Sequence, residues 1–313
     1  MTFSIVARDP VTGDLGIAVA SKFLAVGSVV PHARAGVGAV ATQALANVRY
    51  GADGLALLAQ GRSAVDALAE LTAADDGRDN RQAGIVDASG GAATYTGSAC
   101  ITWAGGRTAD GAAAQGNLLA GPAVVDALIE AYLASSAAFP ERLLAGLKAA
   151  DEKGGDRRGR ESAALLVVRE GGGYGGATDR WIDLRVDDHP DPMPELARLL
   201  DLNHLYLDTP AAADLLPIDE ALAAELRTRL SALGYSPEKL DRANSLAEIV
   251  ERSGLTRTGD PRDLPGNWDA AWTGALDEWM SIENLEARAA ARGWIDPRVV
   301  EFMRAKSALD VGK

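Results

Sequence analysis

A chain of 313 residues that is 47% hydrophobic and 24% charged has the length and composition of about two globular domains. Its net charge of −13 repels phosphate backbones and no Lys/Arg-rich tract offsets it, which argues against a nucleic-acid partner. Cys100 stands alone and His32, His189 and His204 are far apart, so intrachain disulfides and multi-Cys metal sites are excluded and no cofactor is expected. No apolar run is long enough to span a bilayer and no charged segment precedes an apolar core at the start; no membrane partner and a cytoplasmic location are expected.

The opening stretch, MTFSIVARDPVTGDLGIAVASK, reads as a hairpin. Phe3, Ile5 and Ala7 alternate with Thr2, Ser4 and Val6, the turn formers run from Asp9 to Asp14, and a second apolar strand covers Leu15 to Ala20. Initiator methionine is normally trimmed before a small residue, so the mature chain is expected to begin at Thr2. A threonine there carries a hydroxyl and a free α-amine on one residue, which is a nucleophile together with its own base. Residues 25–35 look like a strand and turn, and 36–43 like a buried glycine-rich strand. Two helices are predicted over 51–61 and 63–74, with Ser63 as the second one's N-cap. A second hairpin joins 83–87 to 92–96, and short extended pieces follow at 101–103 and 112–119. Helices over 122–135 and 140–153 place Pro122 and Pro140 in their first turns. A third hairpin joins 162–168 to 181–186, and 192–205 is helical.

Strands, two helices, strands, two helices and strands, in that order, fit an α+β architecture of two stacked sheets with a helix layer outside each. A Rossmann fold would alternate single helices with single strands. Composition shifts at 206–216, read as a linker between a 1–205 domain and a helical 217–313 domain. In the latter, helices are predicted over 219–233, 245–253, 268–280 and 297–309, with a loop over 256–266 and Trp268, Trp272, Trp279 and Trp294 as the core.

The stretches TFSIVARD, GIAVASKFLAVGSVVPHARAGVGAVATQ, YTGS, AQGNLLAG, GGDRRGRESAALLVV and DLRVDDHPDP together resemble the DUF1028 family, over roughly residues 2–205. That resemblance implies an N-terminal-nucleophile (Ntn) hydrolase-like four-layer αββα sandwich. LRTRLSALGY and WDAAWTGALDEWMSIENLEAR resemble a peptidoglycan-binding-like helical domain.

The resemblance implies that Lys22, at the end of the second strand, sits beside the nucleophile; a snorkelling surface lysine is the alternative. Alternation puts Ser21 on the opposite face from Lys22, so at most one of them meets Thr2. Thr42 and Gln43 end a glycine-rich strand, and Gln115-Gly116-Asn117 offers two amides and an unhindered N–H, groups that suit an oxyanion hole or strand-end capping equally. In the superfamily the 156–162 junction supplies an Asp and a Ser that orient the amine, which implicates Asp156 and Ser162. Arg157 and Arg158 suit a substrate carboxylate, although a charge run is also the mark of a solvated loop. The expected function is an Ntn-type amidohydrolase acting on a small carboxylate-bearing or peptide-like substrate, in a homo-oligomer. The alternative is a catalytically silent oligomeric scaffold that binds a ligand or cell-wall fragment.

Overall fold

A computed structural model describes residues 2–239, 257–259 and 268–310. The chain divides into two compact units, 1–200 and 201–313. The helix expected over 245–253 and most of the loop expected over 256–266 lie outside the described residues.

The first unit is mixed α+β with antiparallel sheets. β1 (Thr2–Arg8) and β2 (Leu15–Ser21) form the opening hairpin, closed where the Asp9 carboxylate accepts the Val11 N–H and the Thr12 hydroxyl. A 3-10 turn at Val26–Ser28 leads into β3 (Pro31–Arg34), where a longer strand was expected, and β4 runs from Gly38 to Ala44. β5 (Arg81–Asp87) and β6 (Ala92–Thr96) follow two helices, α1 (Arg49–Ala59) and α2 (Ala64–Ala73). The Ser63 hydroxyl caps α2 by accepting the Asp66 N–H at 3.1 Å. The extended piece expected at 101–103 is not a strand; β7 forms instead at Gly105–Ala109 and pairs with β8 (Ala112–Asn117). α3 (Ala123–Ala134), α4 (Phe139–Glu152), β9 (Ser162–Val168), β10 (Arg180–Val186) and α5 (Pro192–Leu207) complete the series.

One sheet has the order β10-β9-β2-β1-β8-β7 and the other β3-β4-β5-β6, with every neighbouring pair antiparallel. Alternation divides each strand between two cores. Phe3, Ile5 and Ala7 pack with Leu128, Leu143 and Leu147 of α3 and α4. Val6, Ile17 and Val19 meet Ala39 and Ala41 of β4 and Val86 of β5, so residues on this face lie between the sheets. Val40 and Ile85 face the other way, toward Tyr50, Leu58 and Leu68 of α1 and α2.

The second unit is mainly helical, with α6 (Glu220–Ala232), α7 (Ala270–Ile282) and α8 (Pro297–Asp310). It is not purely so: β11 (Leu216–Pro217) pairs with β12 (Trp294–Ile295), inside and beyond the span read as a linker. Leu226, Leu230, Trp279 and Met303 fill its core with Trp268, while Trp272 and Trp294 are only partly covered. No helix among the described residues is long and apolar enough to cross a membrane.

Candidate functional site around Thr2

Alternation along β1 turns Phe3 outward to the helices and leaves Thr2 and Ser4 facing the space between the sheets. Phe3 pairs with Ala20, so Thr2 lies opposite Ser21, and their hydroxyls are 3.1 Å apart. On its other side Thr2 pairs with Asn117, while Ser21 pairs with Ser162 of β9. Ser162, Ser21, Thr2 and Asn117 therefore form one polar row across the ends of four adjacent strands. All four are buried, with Thr2 6% exposed.

Beneath the row lies a network of amides that spans the two sheets. Gln43 of β4 and Gln82 of β5 are cross-strand partners, and Gln43 Nε2 donates to Gln82 Oε1 at 2.9 Å and to the Thr2 carbonyl at 3.2 Å. Asn117 Nδ2 donates to the same Gln82 oxygen at 2.9 Å. Ser4 donates to Gln43 Oε1 at 2.6 Å and accepts from Gln115 Nε2 at 2.7 Å. Buried amides are tolerated only when bonded. Gln115 Oε1 has no hydrogen-bond partner among the described residues; the other bonds run reciprocally between the sheets and tie the Thr2 end of β1 to β4 and β5.

The structure separates the expected site residues. Thr2, Ser21, Gln43, Gln115 and Asn117 come together. Lys22 does not join them: its side chain is 43% exposed and its Nζ pairs with Glu161 at 3.3 Å. One residue of strand alternation accounts for the difference, with Ser21 turned inward. Thr42 likewise faces away from Gln43 and donates to the Asn47 carbonyl at 3.0 Å. Asp156 is buried but acts on backbone, accepting the Lys22 N–H at 2.8 Å and the Arg158 N–H at 2.9 Å. Ser162 accepts the Val26 N–H at 3.1 Å and donates to the Phe23 carbonyl, holding the loop that leaves β2. A small cavity of about 10 Å³ joins Ser21, Asp156 and Ser162. Arg158 is committed to Asp156 at 3.2 Å, whereas the exposed Arg157 forms no ion pair among the described residues. The Arg157 N–H donates to the Leu118 carbonyl, next to Asn117.

Sequence reading missed Ser4 and Gln82. Both are polar residues at inward positions of otherwise apolar strands, and that signal could have found them. Phe23, Leu24, Leu45 and Ile101 are exposed on loops at the same strand ends. Burial raises the Cys100 thiol above its ordinary value, and its Sγ lies 3.3 Å from the Arg81 carbonyl, as befits a packing residue.

A family model described as "Family of unknown function (DUF1028)" matches residues 2–196, which hold every site residue above. The chain belongs to this family. The crystal structure of protein SPO2555 from Silicibacter pomeroyi, itself a DUF1028 protein, is similar at 36% identity and a TM-score of 0.60. The similarity covers 65% of this chain and 89% of that one. Beyond the DUF1028 portion, residues 236–303 match a model described as "Putative peptidoglycan binding domain". No curated protein matches the chain.

Proposed function

We propose that the DUF1028 portion is a four-layer αββα sandwich of Ntn-hydrolase type that cleaves an amide bond in a small carboxylate-bearing or peptide-like substrate. Thr2 is the nucleophile once processing exposes its amine. The observation that carries this reading is the placement of the Thr2 hydroxyl, at the head of a central strand and turned between the sheets. There it sits 3.1 Å from Ser21 and beside Asn117. Burying so many polar groups at a strand terminus is costly unless each is bonded, and an apolar end would serve packing as well.

In the proposed reaction the amine takes the hydroxyl proton as Thr2 Oγ1 bonds to the substrate carbonyl carbon. It returns the proton to the leaving nitrogen as the C–N bond breaks, and water then hydrolyses the ester. Arg157, free of ion pairs among the described residues, suits a substrate carboxylate, and the exposed Phe23, Leu24, Leu45 and Ile101 suit an apolar portion. The protein is proposed to work in the cytoplasm as a homo-oligomer.

A second reading, a catalytically silent oligomeric scaffold for a ligand or cell-wall fragment, is favoured by the low exposure of Thr2 and by the turn of Lys22 toward Glu161. Intact mass of the purified chain reports loss of Met1. A screen of acyl-amino acids and small amides, followed by amine release, then compares the processed wild type with Thr2→Ala. Loss of turnover in Thr2→Ala supports the hydrolase; equal turnover would exclude it, and ligand binding without turnover in either would establish the scaffold.

A further inference from the structure

The direction of each buried amide is set by neighbours that can only accept. A backbone carbonyl has no proton to give, so the amide end that meets it is the NH₂ end. One end of the Gln82 amide meets the carbonyls of Gly116 at 2.8 Å and Gly105 at 3.3 Å, which identifies it as Nε2. The other end is Oε1, and both side chains that approach it, Gln43 and Asn117, must donate. Gln43 is fixed a second time by the Thr2 carbonyl. Its Oε1 accordingly accepts from Ser4, and Gln115, anchored at 3.3 Å on the Ser4 carbonyl, donates to the Ser4 hydroxyl. Turning either Gln82 or Gln43 around would set oxygen against oxygen.

We infer that this single polarity makes Asn117 an acceptor at the head of β1: with Nδ2 held by Gln82, its Oδ1 holds the amine of a processed Thr2, and Gln82 is the positioning residue that sets it. No hydrogen bond to Asn117 Oδ1 competes among the described residues. The role given to the amine rests on the Ntn reading above; the polarity of the network does not. An oxyanion role would need the second proton of Nδ2 to turn toward substrate. An acceptor role uses an amine N–H and leaves the nitrogen lone pair for the Thr2 hydroxyl proton.

The test reads the amine itself. A chain cleaved from an N-terminal fusion so that Thr2 is its first residue, carrying ¹³C-threonine, gives the amine pKa by NMR titration. The groups that face Thr2 from β2, β4, β5 and β8 are neutral: Ser21, Gln43, Gln82, Gln115 and Asn117. The charged groups at this end are Lys22 after β2, Arg81 at the start of β5 with its partner Asp75, Asp151 of α4, and Asp156, Arg157, Arg158, Arg160 and Glu161 before β9. None changes between wild type and variant, so a difference reports residue 117. Asn117→Asp should raise the amine pKa by about one unit and Asn117→Leu should lower it, because the acceptor is strengthened in one and lost in the other. Gln82→Leu should move it in the same direction as Asn117→Leu. An amine pKa unaltered in folded Asn117→Leu overturns the inference. The wild type carries a check that needs no variant: the Asn117 side-chain amide proton that Gln82 accepts should be protected from solvent exchange, and free exchange of both amide protons overturns the polarity.

Where the wild type turns over an amide, the acid limb of kcat/KM in Asn117→Asp should follow the amine pKa with the plateau kept within about tenfold. A loss of about 10²–10³ at every pH would instead assign the oxyanion role. Failure of the hydrolase reading shows as absence of turnover in a chain whose amine titration still responds to residue 117.

Discussion

At the scale of single residues, the immediate surroundings of the Thr2 hydroxyl are neutral. Ser21 and the Thr2 hydroxyl share one hydrogen bond at 3.1 Å, while the nearest lysine in sequence is spent on Glu161. If Thr2 works with its own amine, Thr2→Ala removes the nucleophile and turnover should fall to background, whereas Thr2→Ser keeps the hydroxyl and part of the rate. Ser21→Ala should cost roughly tenfold in kcat, the worth of about one hydrogen bond. Lys22→Met should change kcat/KM less than about threefold, since an exposed pair contributes about 0–1 kcal/mol. Steady-state kinetics on the processed chain check all four. His32 makes a separate case in the same unit: burial holds its pKa below 6.5, and its imidazole fills the space that a Cβ on Gly51 would take, at 2.2 Å. The unfolded chain therefore binds the proton more readily. Stability is full above the unfolded pKa of 6.5 and falls as pH drops through the depressed folded value. His32→Gln should flatten that slope in denaturant titrations at pH 7 and pH 5, and an unaltered slope would remove His32 as its source.

At the scale of elements, the paired sheets carry the site, and one glycine lets them approach. A Cβ on Gly84 of β5 would stand 2.1 Å from Gln115 Oε1 of β8, in the opposite sheet. Gly84→Ala should cost about 1–3 kcal/mol by overpacking, read as a lower urea midpoint, and should weaken the amide network with it. Much of this frame was legible in sequence, because period-two alternation separates Thr2 and Ser4 from Phe3 and Ile5 whatever the tertiary context. The same rule distinguishes Ser21 from Lys22 but cannot say which of the two faces Thr2, since that depends on the partner sheet. β7 escaped because Gly105-Gly106-Arg107-Thr108-Ala109 has no apolar alternation and is paired only through β8. Gln82 escaped because a lone amide in RQAGIVD has no meaning until β4 and β8 bring Gln43 and Asn117 to it. Within the order β10-β9-β2-β1-β8-β7 the hairpin pairs are local, but β2 with β9 and β1 with β8 are long-range pairings, which no local pattern encodes.

At the scale of the whole molecule, a net charge of −13 makes the chain depend on where its carboxylates are neutralised. In the helical unit two aspartate and glutamate settings respond oppositely to acid. Burial raises Asp277 above its ordinary value even with the Arg257 guanidinium 2.7 Å away. Glu225, more open, is drawn down from 4.5 to about 2, first by its bond to Arg304 and then by Arg229. Arg304 reaches it from α8 with two nitrogens, at 2.7 and 2.8 Å, so the carboxylate joins α6 to α8 at the surface of this unit. The folded pKa is the lower one, so its contribution is complete above 4.5 and is lost as pH falls toward 2. Water screens such a group, so its worth is that of a good surface network, about 0.5–1 kcal/mol at pH 7. Glu225→Gln should therefore be less stable than wild type by about that amount at neutral pH in chemical denaturation. The gap should shrink by more than half by pH 3, because by then the unfolded wild-type carboxyl holds its proton and most of the stability that its ionised form gains from Arg304 is lost. A gap of the same size at pH 7 and pH 3 would mean that Glu225 acts through packing against Arg304 rather than through its charge.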